Sequence, residues 1–589
     1  MNATPDTRRP AGAASSTPDG APADTFDLIV LGAGAGGMTA ALVGALEGLR
    51  VALIERTGWI GGTTATSSGT VWIPDNPHQR ALGAADDAAR AMAYLDALVG
   101  ERADRSLREA FVAQGPRMVE YLEARSGVRF STYPHHPDYR QDLPGAATGG
   151  RPLEPLAFDG RLLGAHFEKV RWPLRELMLP GGLMVTRGEA ARLLRGPASW
   201  DAIRLGATLL ARLLADRLRH PRGTRLVLGN ALAARLYKGL LDRGVDILLE
   251  ARTARLLTAD GAVRGVVVSH RGEKRTLHAR RGVILAGGGF PADPQWRERY
   301  LPAPTPRHTP AGEACTGETI RLGLEAGAAL GRAAGDNALW FPSSIATRRD
   351  GSTAVYPHIV LDRAKPGLIA VNAAGRRFVN EAASYHEFTR GMYAAHRDTP
   401  SIPALLVCDR RFLWKYGLGM IWPHSVGLRR HVRSGYLIEG RTLADLARQA
   451  GVDPAGLART VETFNEYARR GEDPDFHKGE SLYDRNNGDE AHQPNPCLGP
   501  IATPPFYGVR VYPTPLATSL GLRTGADARV LDEDGRPIPG LYACGADMDS
   551  VFGGEYPGAG AQLGPAMTFG YLAARHAAQQ ESPASTPSK

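Results

Sequence analysis

Phe26-Asp-Leu-Ile-Val-Leu-Gly32 is apolar at nearly every position and ends in glycine, the pattern of a strand buried on both faces. Small and apolar residues from Met38 to Leu49 follow with helical spacing, and Arg50-Val-Ala-Leu-Ile-Glu55 reads as a second buried strand. A strand–helix–strand opening predicts a parallel sheet covered by helices on both faces. Residues 80–126 are Ala-rich and charged and read as helices. Pro, Gly and Tyr accumulate from Ser131 to Leu163, the look of an ordered loop region. Strand and helix patterns return over 226–300. They predict a helix at Asn230–Gly244, a strand at Asp246–Glu250, a hairpin-like pair, and a strand Gly282-Val-Ile-Leu-Ala286 running into Gly287-Gly-Gly289. Over 303–500 the texture changes, with many Pro and aromatic residues and short mixed elements. The first pattern resumes at Gly540-Leu-Tyr-Ala-Cys-Gly545, which makes the middle segment an insertion.

The glycines carry the first chemical signal. Gly32-Ala-Gly34-Ala-Gly-Gly37 has the GxGxxG spacing directly after a strand and ahead of a helix, and Glu55 ends the next strand 21 residues after Gly34. Gly32 makes the tight turn, Gly34 lets a pyrophosphate approach the backbone, Gly37 permits close strand–helix packing, and Glu55 takes a ribose hydroxyl. A second small-residue loop, Gly61-Gly-Thr63-Thr64-Ala-Thr-Ser-Ser-Gly69, is suited to run past a flavin. Two further strands end in glycine where a backbone must come close to a cofactor, at Gly287 and at Gly545, the latter followed by Asp547. Gly564-Pro565 then opens a helix, expected from Ala566 to Ala578, whose N-terminal amides would stabilise negative charge on a reduced flavin. Four such loops exceed what a nicotinamide domain needs, so the expected cofactor is FAD. The expected fold is α/β. A discontinuous Rossmann-like FAD-binding domain occupies 25–302 and 501–580, an inserted α+β catalytic domain occupies 303–500, and 1–24 form a disordered leader.

Composition narrows the setting. The chain has 589 residues, too many for one core, and a formal charge of +9 with Lys and Arg scattered. No basic block interleaved with aromatics appears, which argues against nucleic acid; a membrane surface or a membrane-dissolved substrate fits the excess at least as well. Cys315, Cys408, Cys497 and Cys544 form no CxxC pair and read as free thiols in a reducing compartment. No apolar run follows Arg8-Arg9 and none reaches 18 residues, so a cytoplasmic protein is expected, at most peripheral on the inner membrane. The segment 199–220 places Arg204, Thr208, Arg212 and Arg219 near one helical stripe among Leu and Ile. It reads either as a surface helix packed on the FAD domain or as an interfacial membrane helix.

Glu555-Tyr-Pro-Gly-Ala-Gly560 sets a tyrosine hydroxyl and a glycine amide four residues apart, two donors that one substrate oxygen can receive. With Gly61-Gly-Thr-Thr-Ala, Val71-Trp-Ile-Pro74, Gly375-Arg-Arg-Phe-Val-Asn-Glu381 and Gly564-Pro-Ala-Met-Thr-Phe-Gly570, this segment resembles the fumarate reductase/succinate dehydrogenase-like flavoproteins. Within them it resembles the bacterial 3-ketosteroid Δ1-dehydrogenases, over about residues 26–579. The resemblance implies two domains and FAD held without a covalent link, and no histidine stands in 61–69. It implies that Tyr556 and Gly560 hold a steroid or sterol-derived C3 ketone and that Tyr385 removes the C2 proton. It further implies that Tyr139, with Tyr133 close by, supports that base, and that an external acceptor takes the electrons. Ala559 stands where the family usually has proline, and Thr514–Leu522 departs from its glycine-rich version. His386 is expected to be surface or packing, and Arg376 and Arg377 structural. No His/Cys/Asp cluster suggests a metal. Two rival functions remain: a reductase of an unsaturated carboxylate such as fumarate, and a flavin-binding electron-transfer protein without turnover of its own.

Overall fold

Eight strands make the larger sheet of the computed structural model, which describes residues 24–83, 86–179, 182–193, 199–359 and 362–580. Apart from Asp24, the expected leader lies outside the described residues. The sheet order is Arg529–Leu531, Pro537–Ala543, Glu273–Leu285, Thr25–Leu31, Val51–Ile54, Asp246–Leu248. The last five run parallel, with Val283 opposite Leu541, Val30 opposite Ile284 and Leu53, and Leu53 opposite Ile247. Parallel neighbours need a crossover, and the helix Ala35–Leu46 supplies it between Thr25–Leu31 and Val51–Ile54. That helix packs on the C-terminal helix Leu563–Gln579 so closely that a Cβ on Gly570 would stand 2.5 Å from the Gly36 carbonyl oxygen. Small residues on both helices are what allow it.

The second sheet is antiparallel, in the order Thr353–Pro357, Ala338–Thr347, Phe506–Thr518, Ala404–Asp409, Leu368–Val371, with Ile438–Gly440 also on Phe506–Thr518. Both of its faces are covered. Leu368, Ala370, Leu406 and Cys408 enter one buried cluster, while Ile369, Val371, Leu405 and Val407 enter another. The two-residue period of a strand puts alternate side chains on opposite faces, so a continuous apolar run is what such a sheet requires.

Three expectations need adjustment. The strand Phe506–Thr518 pairs on both sides within this second sheet, although the inserted domain was expected to end at 500. Pro513 and Pro515 lie inside it, opposite Pro342 and Trp340, and prolines ordinarily argue against a central strand. At the other boundary, the helix Glu318–Glu325 lies against the larger sheet: a Cβ on Gly323 would meet Leu285 at 3.2 Å. The supposed loop region from Ser131 to Leu163 also contains strand. Phe130–Thr132 and Val71–Trp72 flank Pro152–Pro155 in a three-stranded sheet. Among the described residues, no helix is long and apolar enough to cross a membrane.

Candidate active site

A cavity of about 660 Å³ runs from the ends of the parallel strands to the second sheet. Gly32, at φ +109°, turns the first strand into its helix. A Cβ on Gly37 would stand 2.0 Å from the Gly32 carbonyl oxygen, whereas at Gly34 the nearest atom would be Thr64 Oγ1 at 3.9 Å. One glycine therefore closes a packing contact, and the other leaves open space at a helix N-terminus, where a pyrophosphate is favoured. Glu55 lines the cavity, with Oε2 accepting from the Ala33 amide at 3.0 Å and Oε1 from the Thr57 amide at 2.8 Å. Thr64 Oγ1 accepts from the Ala35 amide and Thr63 Oγ1 from the Gly312 amide, each at 3.0 Å. Gly287 and Gly545, the latter at φ +69°, also line it.

Three residues expected at the cofactor act behind the cavity wall. Asp547 is buried and its carboxylate accepts from the amides of Gly287 (2.6 Å) and Gly289 (2.9 Å), so it shapes the loop that faces the cavity. Burial is the main reason its carboxyl is pushed above the usual range. The C-terminal helix starts at Leu563, earlier than expected, and its cavity-facing residues are Gln562, Leu563 and Ala566. Gly564 instead packs on protein, since a Cβ there would stand 2.2 Å from the Trp72 carbonyl oxygen, and its neighbour Pro565 is likewise buried away from the lining. The open space at Gly34 and the glycine-walled lining together fit FAD.

Tyr139, Tyr385 and Tyr556 meet at the other end, all buried yet lining the cavity. The Tyr139 hydroxyl donates to the Tyr385 hydroxyl at 2.9 Å. The Tyr385 ring stands edge-on to Tyr139 and Tyr556, with centroids 5.6 and 5.3 Å away, and Tyr139 stacks on Tyr556 at 5.6 Å. Tyr385 is the first residue of the helix Tyr385–His396, capped by Ser384 Oγ, which accepts from the Glu387 amide. Gly560 lies beside them at φ +95°, where a Cβ would come within 2.5 Å of the Thr70 carbonyl oxygen. Its amide donates to no protein acceptor among the described hydrogen bonds. Burial, reinforced by the neighbouring tyrosines, pushes Tyr385 well above the ordinary phenol value, and burial pushes Tyr556 up to about 12.

Long-range contacts hold the three loops together. Asp138, next to Tyr139, accepts from Arg151 at 2.6 Å and from the Trp72 indole at 2.8 Å. The Tyr139 amide donates to the Pro557 carbonyl at 3.0 Å, which joins its loop directly to that of Tyr556. Arg390, on the Tyr385 helix, bridges Glu555 at 2.8 Å and Asp336 at 2.7 Å. Asp138 and Glu555 entered the sequence motifs only as neighbours of Tyr139 and Tyr556, with no role of their own, and Arg151, Arg390, Phe341 and Tyr483 did not stand out. These rings pack against Tyr385 and Tyr139 at 4.5 and 4.8 Å, and both line the cavity. A capping Ser384 followed by Glu387 was the one local signal available.

The remaining candidates separate cleanly. Tyr133 donates to Glu154 and does not join the cluster. His386 is fully buried, its Nδ1 accepts from the Trp340 amide at 3.3 Å, and burial holds it well below the usual imidazole value. That makes it a packing residue; a surface place is ruled out. Arg377 is bound to Glu381 and Asp473 at 2.8 and 2.7 Å, and Arg376 is exposed; neither lines the cavity. Arg56 and Arg171, which do, are paired with Glu318 and Glu313. Leu516 and Ala517, from the segment that departs from the family pattern, face the cavity. All four cysteines are free and buried.

The chain matches the FAD binding domain family model over residues 27–563. It is 38% identical over 572 residues to the 3-oxosteroid 1-dehydrogenase of Mycobacterium tuberculosis, covering 94% of this chain and 98% of that one. It is 36% identical to the 4-oxocyclohex-2-ene-1-carboxylate 5-dehydrogenase of Sinomonas cyclohexanicum, covering 94% of each. The 3-ketosteroid Δ1-dehydrogenase of Sterolibacterium denitrificans, solved with 1,4-androstadiene-3,17-dione, superposes with a TM-score of 0.89 at 40% identity over 94% of this chain and 99% of that one. The chain therefore belongs to the FAD-binding flavoprotein family that includes the 3-oxosteroid 1-dehydrogenases.

Proposed function

We propose that the protein introduces a C1–C2 double bond into the A-ring of a 3-ketosteroid. The observation that carries this reading is the meeting of Tyr139, Tyr385 and Tyr556 with the undonated Gly560 amide at the end of the cavity away from the nucleotide cradle. Tyr556 and Gly560 donate to the C3 ketone oxygen and stabilise the enolate, each donor contributing on the order of 3 kcal/mol in comparable sites. Tyr385 takes the C2 proton. A phenol pushed upward by burial and by its tyrosine neighbours is a strong base once ionised, and the Tyr139 hydroxyl lies 2.9 Å from its oxygen. FAD held by the Gly34 turn, Thr64 and Glu55 would supply the hydride acceptor for C1. An external acceptor then completes the cycle.

The oxocyclohexene carboxylate relative raises a second reading on the same ring-ketone chemistry. The cavity argues for the larger, uncharged molecule: beyond the tyrosines it is walled by Leu174, Leu179, Val185, Leu418, Ile421 and Trp422, and its two arginines are already paired. A fumarate-type substrate meets the same objection. The test is anaerobic mixing with 4-androstene-3,17-dione, cholest-4-en-3-one, 4-oxocyclohexanecarboxylate and fumarate while following flavin absorbance. A steroid is expected to bleach the flavin. Bleaching by the carboxylate alone, or reoxidation of reduced enzyme by fumarate with no response to steroid, would replace the steroid assignment.

Peripheral membrane contact belongs to the same reading, because such substrates dissolve in lipid. The helix Trp200–Arg217 buries only Ala202, Leu209 and Leu213. Ile203, Leu210 and Leu214 are 44%, 52% and 60% exposed at helical spacing, and Leu218 just beyond is 86% exposed. Arg204, Arg212 and Arg219 stand exposed on the adjoining face, where anionic headgroups would meet them. Its neighbour, the helix Arg187–Leu193, contributes Ala190 and Leu193 to the cavity, and Leu193 reaches back to Gly206. Wild-type protein should sediment with phosphatidylglycerol vesicles and the pair Leu210→Glu, Leu214→Glu should not; equal sedimentation of both removes this contact.

A further inference from the structure

Ser344, His358, Asp362 and Tyr436 form a buried hydrogen-bonded chain that the proposed reaction does not use. His358 Nδ1 meets Asp362 Oδ2 at 2.6 Å, His358 Nε2 meets Ser344 Oγ at 2.8 Å, and Ser344 Oγ meets the Tyr436 hydroxyl at 2.8 Å. Ser344 and His358 have no exposed surface, and Asp362 and Tyr436 are 3% and 6% exposed. Ser, His and Asp in this order have the connectivity of a hydrolase triad. Here the serine oxygen is occupied by Tyr436 and does not reach the cavity, so no substrate can approach it.

What the chain does hold is a piece of the cavity wall. Its two ends are met by consecutive amides: Gly419 donates to Asp362 Oδ2 at 3.1 Å and Met420 to the Tyr436 hydroxyl at 2.9 Å. Those two residues are the tip of a tight hairpin in which Leu418 and Ile421 exchange both backbone hydrogen bonds, at 2.9 and 3.1 Å. Gly419 sits at φ +59°, and a Cβ there would lie 2.2 Å from the Tyr436 hydroxyl. Leu418, Ile421 and the following Trp422 line the cavity. Buried polar groups are tolerated only when every one is bonded, so the chain acts as a unit and the hairpin tip has one place to sit. From the same turn, Arg363 donates to the carbonyls of His358 (2.8 Å) and Glu381 (2.7 Å), just ahead of Tyr385.

We propose that this Ser344–His358–Asp362–Tyr436 chain determines specificity: it fixes the Leu418–Ile421 hairpin and so sets which substituent at C17 of the steroid the cavity admits. The inference rests on the ketosteroid reading above. With the ketone at Tyr556 and Gly560, a rigid four-ring molecule must extend into the apolar remainder of the cavity, which this hairpin walls. Tyr436→Phe removes the hydroxyl that receives the Met420 amide and keeps the ring.

The experiment compares flavin reduction by 4-androstene-3,17-dione and by cholest-4-en-3-one in wild type and in Tyr436→Phe. Losing one hydrogen bond to the tip should move the ratio of kcat/KM about fivefold toward the substrate with the long side chain. KM should carry the change, while the saturating rate with androstenedione stays within about twofold, because the tyrosine cluster is untouched. Equal changes for both substrates, or none, overturn the proposal. Ser344→Ala tests the same chain should Tyr436→Phe fold poorly, with the same ratio as readout. Wild-type protein that is reduced by neither steroid overturns the ketosteroid reading itself, a result distinct from an unchanged ratio.

Discussion

The two ends of the cavity are built by opposite means. At the cofactor end, backbone does the work: Gly32, Gly34, Gly37 and the Thr63-Thr64 loop come from one stretch of chain, and their task is to leave room. At the substrate end, side chains do the work. Tyr139, Tyr385 and Tyr556 come from three distant segments and are held with ring centroids 5.3 to 5.6 Å apart by pairs such as the buried Asp138–Arg151 and the partly buried Arg390–Glu555. A cradle of backbone tolerates changes that keep it small, whereas a cluster of side chains fails when one functional atom is lost.

That contrast can be broken most severely at Tyr385. Tyr385→Phe removes the proposed base and should lower the rate of flavin reduction by about a thousandfold, while the purified protein keeps its yellow flavin spectrum. Substantial activity would take Tyr385 out of the mechanism. Tyr556→Phe removes one of the two proposed ketone donors and should lower kcat by about a hundredfold or more, again with flavin retained. Gly34→Ala probes the other end. Its methyl group would point into the open space facing Thr64, so flavin retention after gel filtration should fall by about tenfold, and added FAD should restore steroid turnover toward wild type. If Gly34→Ala bound flavin normally and lost turnover, the division of labour between the two ends would be wrong.

The smallest effect is graded with pH. Tyr385 lies well above the ordinary phenol value because it is buried among phenols. The ionised fraction therefore grows across the whole alkaline range below that value, and kcat/KM for flavin reduction should rise by about tenfold per pH unit until another group intervenes. A flat profile from neutral pH upward would mean that the proton leaves by another path. Acid acts on a different part of the molecule. Glu381, beside Arg377 and Lys478, is lowered from 4.5 to about 2, although its burial alone would raise it. Its folded-state value lies below its unfolded one, so the stability it contributes is present above about pH 4.5 and is lost as pH falls toward 2. The thermal midpoint should fall through that window in wild type and less steeply in Glu381→Gln.

Much of the cofactor end was legible in advance because its signals are local. A buried strand, a GxGxxG turn and an acidic residue on the next strand fall within 30 residues, and each is a consequence of backbone geometry that the residue type announces. Asp547 and Gly564 show the limit even there: the sequence marked them as near the cofactor, and the fold puts them behind the residues that line the cavity. At the other end, motifs picked out three tyrosines without saying why they converge. Asp138 and Arg390 are ordinary charged residues along the chain, and their meaning comes from the buried partners that only the folded protein supplies. The boundary near residue 500 was misplaced for a related reason. Pro513 and Pro515 look like loop residues until the strand opposite them is known.

By itself, then, the sequence determined an α/β protein with an FAD cradle and placed Tyr556 four residues before Gly560, because those features depend on spacing within short segments. The tertiary structure decided that Tyr139, and not Tyr133, reaches Tyr385. It also decided that His386 is sealed inside, that Arg377 is spoken for by Glu381 and Asp473, and that a chain of four buried polar groups fixes the far wall of the cavity. Apart from the four-residue steps Arg377–Glu381 and His358–Asp362, these contacts join residues tens to hundreds of positions apart, and no local pattern encodes which of several tyrosines, histidines or arginines the chain will fold into the site.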